Sequence, residues 1–225
     1  MPAKPTPEGL FQGCILTSVA HAVSACLYPQ LSFCHSWSGH NYSVNDAEGT
    51  RATITFSNLG VVAAFRDENS PRRPYADPAN YDIERYLKGM PADLRKLSDG
   101  ETLRYLLDKL GNGTIPVITS AFWEENSELV GNEPWDTIYN HGGHVIEIEC
   151  QQPQEAMGLL QEDNEFDDTL MELIDSIYGR KSASNYETIY LTETERSTLL
   201  ATAVSEEAIM ECRRSFQDFG VIFSN

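Results

Sequence analysis

The sequence predicts an α+β protein, an antiparallel β-meander covered by helices and followed by a mostly helical C-terminal half. Three observations carry this expectation. Turn-punctuated, β-rich segments follow one another closely between residues 31 and 66, apolar residues recur at helical spacing through most of the chain after residue 153, and sheet-first, helices-later order is the α+β signature. With 225 residues, 41% apolar and 22% charged, the chain has globular composition and enough length to bury a core without disulfides. We treat residues 1–225 as one domain; a sub-division near 67–80 would separate a helix plus meander (1–68) from a mainly helical part (81–225).

Residues 15–28 fit a helix with Ile15, Leu16, Val19, Val23 and Cys26 on one broad side, ended by Pro29. The opposite side, including Cys14, Thr17, Ser18, His21 and Ser24, is polar yet carries no fixed charge. Such a face suits a covered surface, against the rest of the chain, a ligand or a second copy in a homodimer. Four strands are expected at 31–35, 40–44, 51–57 and 61–66. In the third, Ala52, Ile54 and Phe56 alternate with Arg51, Thr53 and Thr55, marking one buried and one wetter face, while residues 61–65 are apolar on both faces. A Pro-interrupted loop covers 67–77.

Helices are expected at 82–89 and at 99–110, the second with Gly111 as C-cap. A short strand is expected at 115–118, a helical turn at 134–140, and a strand at 145–150 that joins the meander with Ile146 and Ile148 inward and Glu147 and Glu149 outward. Helices at 153–161 and 166–178, a strand at 188–191, a helix opened by the capping box Thr192-x-x-Glu195 and a helix at 205–219 complete the chain.

Charge excludes some functions. The net charge is -18, and from Leu110 to Gly179 there are fifteen acids and not one Lys or Arg. Such a chain repels phosphate backbones and anionic lipid, which speaks against nucleic acid and membranes and permits a basic protein partner. No run of 18 or more apolar residues offers a spanning segment, residues 1–8 lack the apolar core of a secretory signal, and five scattered cysteines fit reduced thiols; a cytoplasmic location is expected.

No motif ties a fixed spacing to a fixed chemistry, but four constellations stand out. Cys14 falls where a helix is expected to start, a place that favours thiolate, and His144 precedes an expected strand. This layout is similar to that of cysteine peptidases of the papain kind, although here a meander lies between the two residues where that family has helices. It supplies the enzymatic alternative, a thiol-dependent hydrolase or transferase using Cys14 and His144. His141 with His144, and Cys34-His35 with His40, have spacings a metal can use, but CxxC, HExxH and EF-hand patterns are absent, so no metal and no cofactor are expected.

Trp37, Tyr42, Arg51, Arg66, Arg72 and Arg73, with Trp123 and Trp135 from later loops, gather guanidinium and ring groups suited to a small anionic ligand. Their competing role is internal pairing with nearby acids. Glu162, Asp163, Glu165, Asp167 and Asp168 form the densest acidic stretch, of the sort with which immunity or inhibitor-like proteins capture a basic partner. The functional expectation is a non-enzymatic binding module.

Overall fold

A computed structural model describes residues 1–74, 81–110, 113–184 and 187–223. It has the expected α+β class, with an antiparallel sheet and a helical C-terminal half. The chain divides into two compact units, one made of residues 1–8 and 40–147 and the other of 9–39 and 148–225.

The first unit is built on strands β2 (Asn41–Asn45), β3 (Thr50–Ser57), β4 (Gly60–Asp67), β7 (Ser120–Glu125) and β8 (Glu128–Val130), antiparallel throughout and adjacent in that order. The turns that join β2 to β3 and β3 to β4 are the Asn/Asp/Gly stretches that the sequence marks: Asp46 accepts from the Glu48 and Thr50 amides at 2.7 and 2.8 Å, so the turn carries its own hydrogen bonds. Strand β4 is central, and residues 62–65 are wholly excluded from water, as their two-sided apolar pattern requires.

On one face, Val62 and Ala64 receive Leu87 of α2 (Glu84–Leu87), Leu94 of α3 (Ala92–Gly100) and Leu103 of a 3-10 turn (Thr102–Leu106). On the other, Phe65 packs on Phe122 and Phe122 on Trp135, at ring separations of 5.6 and 5.9 Å. Trp135 begins α4 (Trp135–Asn140), the helical turn expected there.

Several expectations are corrected. The wetter face of β3 is buried: Thr53 and Thr55 are each 1% exposed. Hydroxyls make this tolerable, because Thr55 donates to Asn41 Oδ1 at 2.7 Å and lies 2.7 Å from the Thr102 hydroxyl. The helix expected at 99–110 does not form: α3 lies at 92–100, and from there the chain runs on as the 3-10 turn and then as β5 (Leu107–Leu110), which pairs with β6 (Gly113–Pro116). Leucines three apart, Leu103 and Leu106, suit either helix type, and period three wins here because Leu107 is exposed. The proposed C-cap Gly111 lies outside the described residues.

The strand expected at 145–150 does not form. Residues 143–146 make a 3-10 turn; Ile146 is buried as expected, but Glu149 is buried and Ile148 half-buried, against the alternation. Gly142 sets this path: at φ 120° it turns the chain so closely against β4 that a Cβ would stand 2.7 Å from Phe65 Cβ.

The second unit contains α1 (Pro7–Ser24) from its ninth residue, β1 (His35–Ser38) and the C-terminal helices α5 (Pro153–Asn164), α6 (Asp168–Ala183), α7 (Glu193–Thr202) and α8 (Glu206–Asp218). Helix α1 starts eight residues earlier than its polarity pattern predicts and is buried almost all round, including Thr17, Ser18 and Ser24. The uncharged face is therefore covered within the chain, which removes the reason for a homodimer through it. Pro29 seeds a 3-10 turn (Pro29–Leu31) in place of the strand expected at 31–35. The capping box at α7 forms as expected, Thr192 Oγ1 accepting from the Glu195 amide at 3.2 Å and Glu195 Oε2 from the Thr192 amide at 2.7 Å. Strands β9 (Ile189–Tyr190) and β10 (Val221–Ile222) pair in parallel.

Candidate functional site

In the first unit, a cleft of about 230 Å³ is lined by Arg72, Arg73 and Arg85 together with Tyr81, Asp82 and Tyr86. Arg72 and Arg73 follow β4, while Tyr81 to Tyr86 lead into and form α2. Buried Tyr86 faces the cluster as a ring wall, with the guanidinium carbons of both Arg72 and Arg85 at 5.8 Å from its centroid. The Tyr81 hydroxyl accepts from the Ile118 amide at 2.7 Å and also faces the Pro116 and Ile118 carbonyls. Burial pushes the Tyr81 phenol up to about 12, so it remains a neutral donor. Burial likewise raises Tyr86, opposed by the neighbouring Arg72 and Arg85 cations.

The three arginines are not equally available. Arg72 makes a two-pronged pair with Glu133, at 2.6 and 2.9 Å, and donates to the Thr119 carbonyl at 3.2 Å. Among the described residues, Arg73 donates to the Glu68 carbonyl, at 2.9 Å. Arg85 is 60% exposed at its side chain and stands 3.9 Å from Glu133, already claimed by Arg72. Arg73 and Arg85 thus keep donor capacity toward the cleft, and Arg72 is a fixed positive wall.

The other sequence-predicted residues are dispersed. Arg66 is buried and committed to Glu68 and Asp108, and Arg51, exposed, stands opposite it across the β3–β4 ladder. Tyr42 is a core residue opposite Ile54, and Trp123 is buried against Val62 and Leu94. Trp37 belongs to the second unit, where its indole donates to the Ser18 hydroxyl at 2.7 Å. Internal pairing therefore accounts for Arg66 and for most of Arg72, and Tyr42 and Trp123 fill the core, whereas Trp37 and Trp135 are only partly buried. The sequence expectation includes none of Arg85, Tyr81 and Tyr86, because 82–89 reads as a short helix alone. A Tyr-x4-Tyr repeat enclosing an Arg, soon after Arg72-Arg73, was the available signal.

Cys14 lies inside α1, one turn and more beyond its start, and is completely buried. Desolvation, then the charges of Glu149 and Cys150, push its thiol well up, so the thiolate expected from a helix start is disfavoured. His144, in the first unit, is held by the Thr50 hydroxyl at 3.3 Å and the Tyr139 carbonyl at 3.2 Å. His141 Nδ1 contacts the Ser70 hydroxyl at 2.8 Å, and burial followed by the Arg72 charge holds its pKa down. None of the five cysteines forms a disulfide, and among the described residues no group of three His, Cys, Asp or Glu side chains is placed to hold a metal ion. No described helix is long and apolar enough to cross a membrane.

The acidic stretch forms the corner between α5 and α6. Glu162, Asp163, Glu165, Asp167 and Asp168 are all exposed, around buried Phe166, and none of the five forms an ion pair among the described residues. Asp167 caps α6 by accepting from the Leu170 amide at 2.9 Å. The basic-free span itself is shared between the units, with six of its acids up to Glu147 and nine from Glu149 on.

In the second unit, His21 and His35 stack with ring centroids 4.6 Å apart, and His35 borders a cavity of about 250 Å³ with Glu211, Arg214 and Asp218. Comparison of the chain with protein-family models, curated proteins and solved structures finds no match.

Proposed function

We propose that the protein is a non-enzymatic binding module whose first unit holds a small organic anion in the cleft of Arg72, Arg73 and Arg85. The observation that supports this is the convergence of three guanidinium groups and two tyrosines on one concavity of about 230 Å³, in a chain of net charge -18. Arg73 and Arg85 supply the forked donors that match carboxylate or phosphate oxygens, and Tyr86 the wall for an attached apolar part. Burial and the raised pKa of Cys14 weigh against the thiol-dependent alternative with His144.

The test is calorimetric titration with citrate and with inorganic phosphate. At least one is expected to bind, and Arg73→Gln with Arg85→Gln together should weaken it tenfold or more, since charge-assisted hydrogen bonds are worth about 1.5–3 kcal/mol each. Equal binding by parent and double variant, or binding of neither anion, would overturn the reading.

A second reading, capture of a basic protein in the manner of an immunity or inhibitor-like protein, draws on the α5–α6 corner, whose five exposed carboxylates meet no cation in an ion pair among the described residues. Neutralising all five to Asn or Gln should slow association with a Lys- and Arg-rich peptide several-fold at low salt and leave the fold intact. If stopped-flow rates match the parent at low salt, the corner serves solubility alone.

A further inference from the structure

A second cavity of the first unit, of about 330 Å³, shares no lining residue with the arginine cleft. Its walls are apolar: Phe122, Leu129 and Ile138 are buried, and half-exposed Trp135 and Val130 lie nearer the solvent. This volume lies in the range of small-molecule sites, roughly 300–1,000 Å³, which are typically apolar with a few placed polar groups. Here those groups are Glu133 and Lys4.

The two differ in what answers their charge. Glu133 is clasped by Arg72, which does not line this cavity, through two hydrogen bonds at 2.6 and 2.9 Å. Lys4 is exposed and makes no hydrogen bond or ion pair to the described residues. It is nonetheless held in place, because the Trp135 indole donates to the Pro2 carbonyl at 3.2 Å, Pro2 is buried, and Pro5 further restricts the backbone. The same tryptophan that walls the cavity thus fixes the segment that brings the ammonium to it. Trp135 and Phe122 meet at 5.9 Å with planes inclined by 57°, leaving ring surface to receive another flat group.

An apolar cavity with one answered carboxylate and one unanswered cation selects a ligand with an apolar, ring-bearing body and a single negative head. We infer that this cavity binds a small aryl-alkyl monocarboxylate, its ring against Trp135 and its carboxylate at Lys4. The site goes beyond the arginine cleft and stands or falls separately from it.

The experiment compares 3-phenylpropionate with 3-phenylpropanol and 3-phenylpropylamine, by calorimetry and by the nitrogen–proton resonance of the Trp135 indole. The carboxylate is expected to bind most tightly and the amine most weakly, with the Trp135 resonance shifting on titration. Lys4→Gln should weaken the carboxylate at least fivefold and leave the alcohol unchanged; because Lys4 is exposed, this variant keeps the fold. Val130→Trp, which fills the cavity, should abolish binding of both while citrate or phosphate binding elsewhere is retained. Absence of a Trp135 shift, equal binding of acid, alcohol and amine, or an unchanged preference in Lys4→Gln would overturn the inference.

Discussion

Replacing Gly13 by alanine is expected to destabilise the second unit by more than about 3 kcal/mol, at the severe end of overpacking effects. A Cβ on Gly13 would lie 2.0 Å from the Glu149 carbonyl oxygen and 2.7 Å from its carbon, and both neighbours are backbone. Neither can rotate away, so α1 and the segment at 148–150 must separate, opening the contacts of Cys14 and its buried neighbours. Guanidinium unfolding followed by fluorescence of Trp37, which bonds to α1 through Ser18, measures the loss. Gly158→Ala on α5 is the control: its Cβ meets nothing within 4 Å, and a helical glycine replaced by alanine should gain about 0.5–1 kcal/mol. A Gly13→Ala protein within about 0.5 kcal/mol of the parent would show that the close approach does not exist.

Acidification from pH 7.5 to 5 should destabilise the second unit, through His21 and His35. Burial lowers the pKa of both rings; at His35 the neighbouring His21 lowers it further, and at His21 the Ser32 carbonyl, 3.1 Å away, works the other way. In the unfolded chain each ring takes a proton near pH 6.5, but in the folded protein only at lower pH. Below about pH 6.5 the unfolded state therefore binds more protons, so the stabilisation is complete above that pH and is lost as pH falls toward the depressed values.

Each histidine contributes a slope of up to about 1.4 kcal/mol per pH unit. Asp218, raised by burial and standing at the same cavity as His35, acts with opposite sign, but nearer the carboxylate range. Denaturation at pH 7.5, 6 and 5 should show the fall in the parent, and His35→Phe should roughly halve it. An identical pH profile in that variant would mean that the pair does not carry the effect.

The parts of the fold legible in the sequence are those where local chemistry decides. Strands β2 to β4 are bounded by Asn, Asp and Gly turns that fix short connections, and α7 and α8 begin at Thr192 and Ser205, whose side chains cap them. Where burial overrides pattern, reading fails. Thr53 and Thr55 look solvent-facing until their hydroxyl partners are known, and 145–150 alternates like a strand although Gly142 has already turned the chain. The first turns of helix α1, Pro7-Glu-Gly-Leu-Phe-Gln-Gly, hold a proline and two glycines and show no apolar stripe, so periodicity could not find them.

The same holds for the sites. Arg72 and Arg73 stand out by composition, but only the fold shows that Arg72 is bound to Glu133 and that Arg85 joins from α2. Lys4 is a single charge in an irregular lead, and nothing local connects it with Trp135. His21 and His35 are fourteen positions apart, with their stacking set by the turn at Pro29.

The second unit is assembled from residues 9–39 and 148–225, with the whole of 40–147 between them. During synthesis this imposes an order of events. Residues 40–147 can close on themselves before the rest of the chain emerges, because β2, β3, β4, β7 and β8 all find their first-unit partners within that stretch. Helix α1 must wait for more than a hundred further residues before its partner at 148–150 exists, all the while carrying apolar surface that is buried in the folded protein. The closure of so long a loop is a late, non-local step, which makes the emerging α1 the natural client of a nascent-chain chaperone and the first segment to aggregate when translation is faster than assembly.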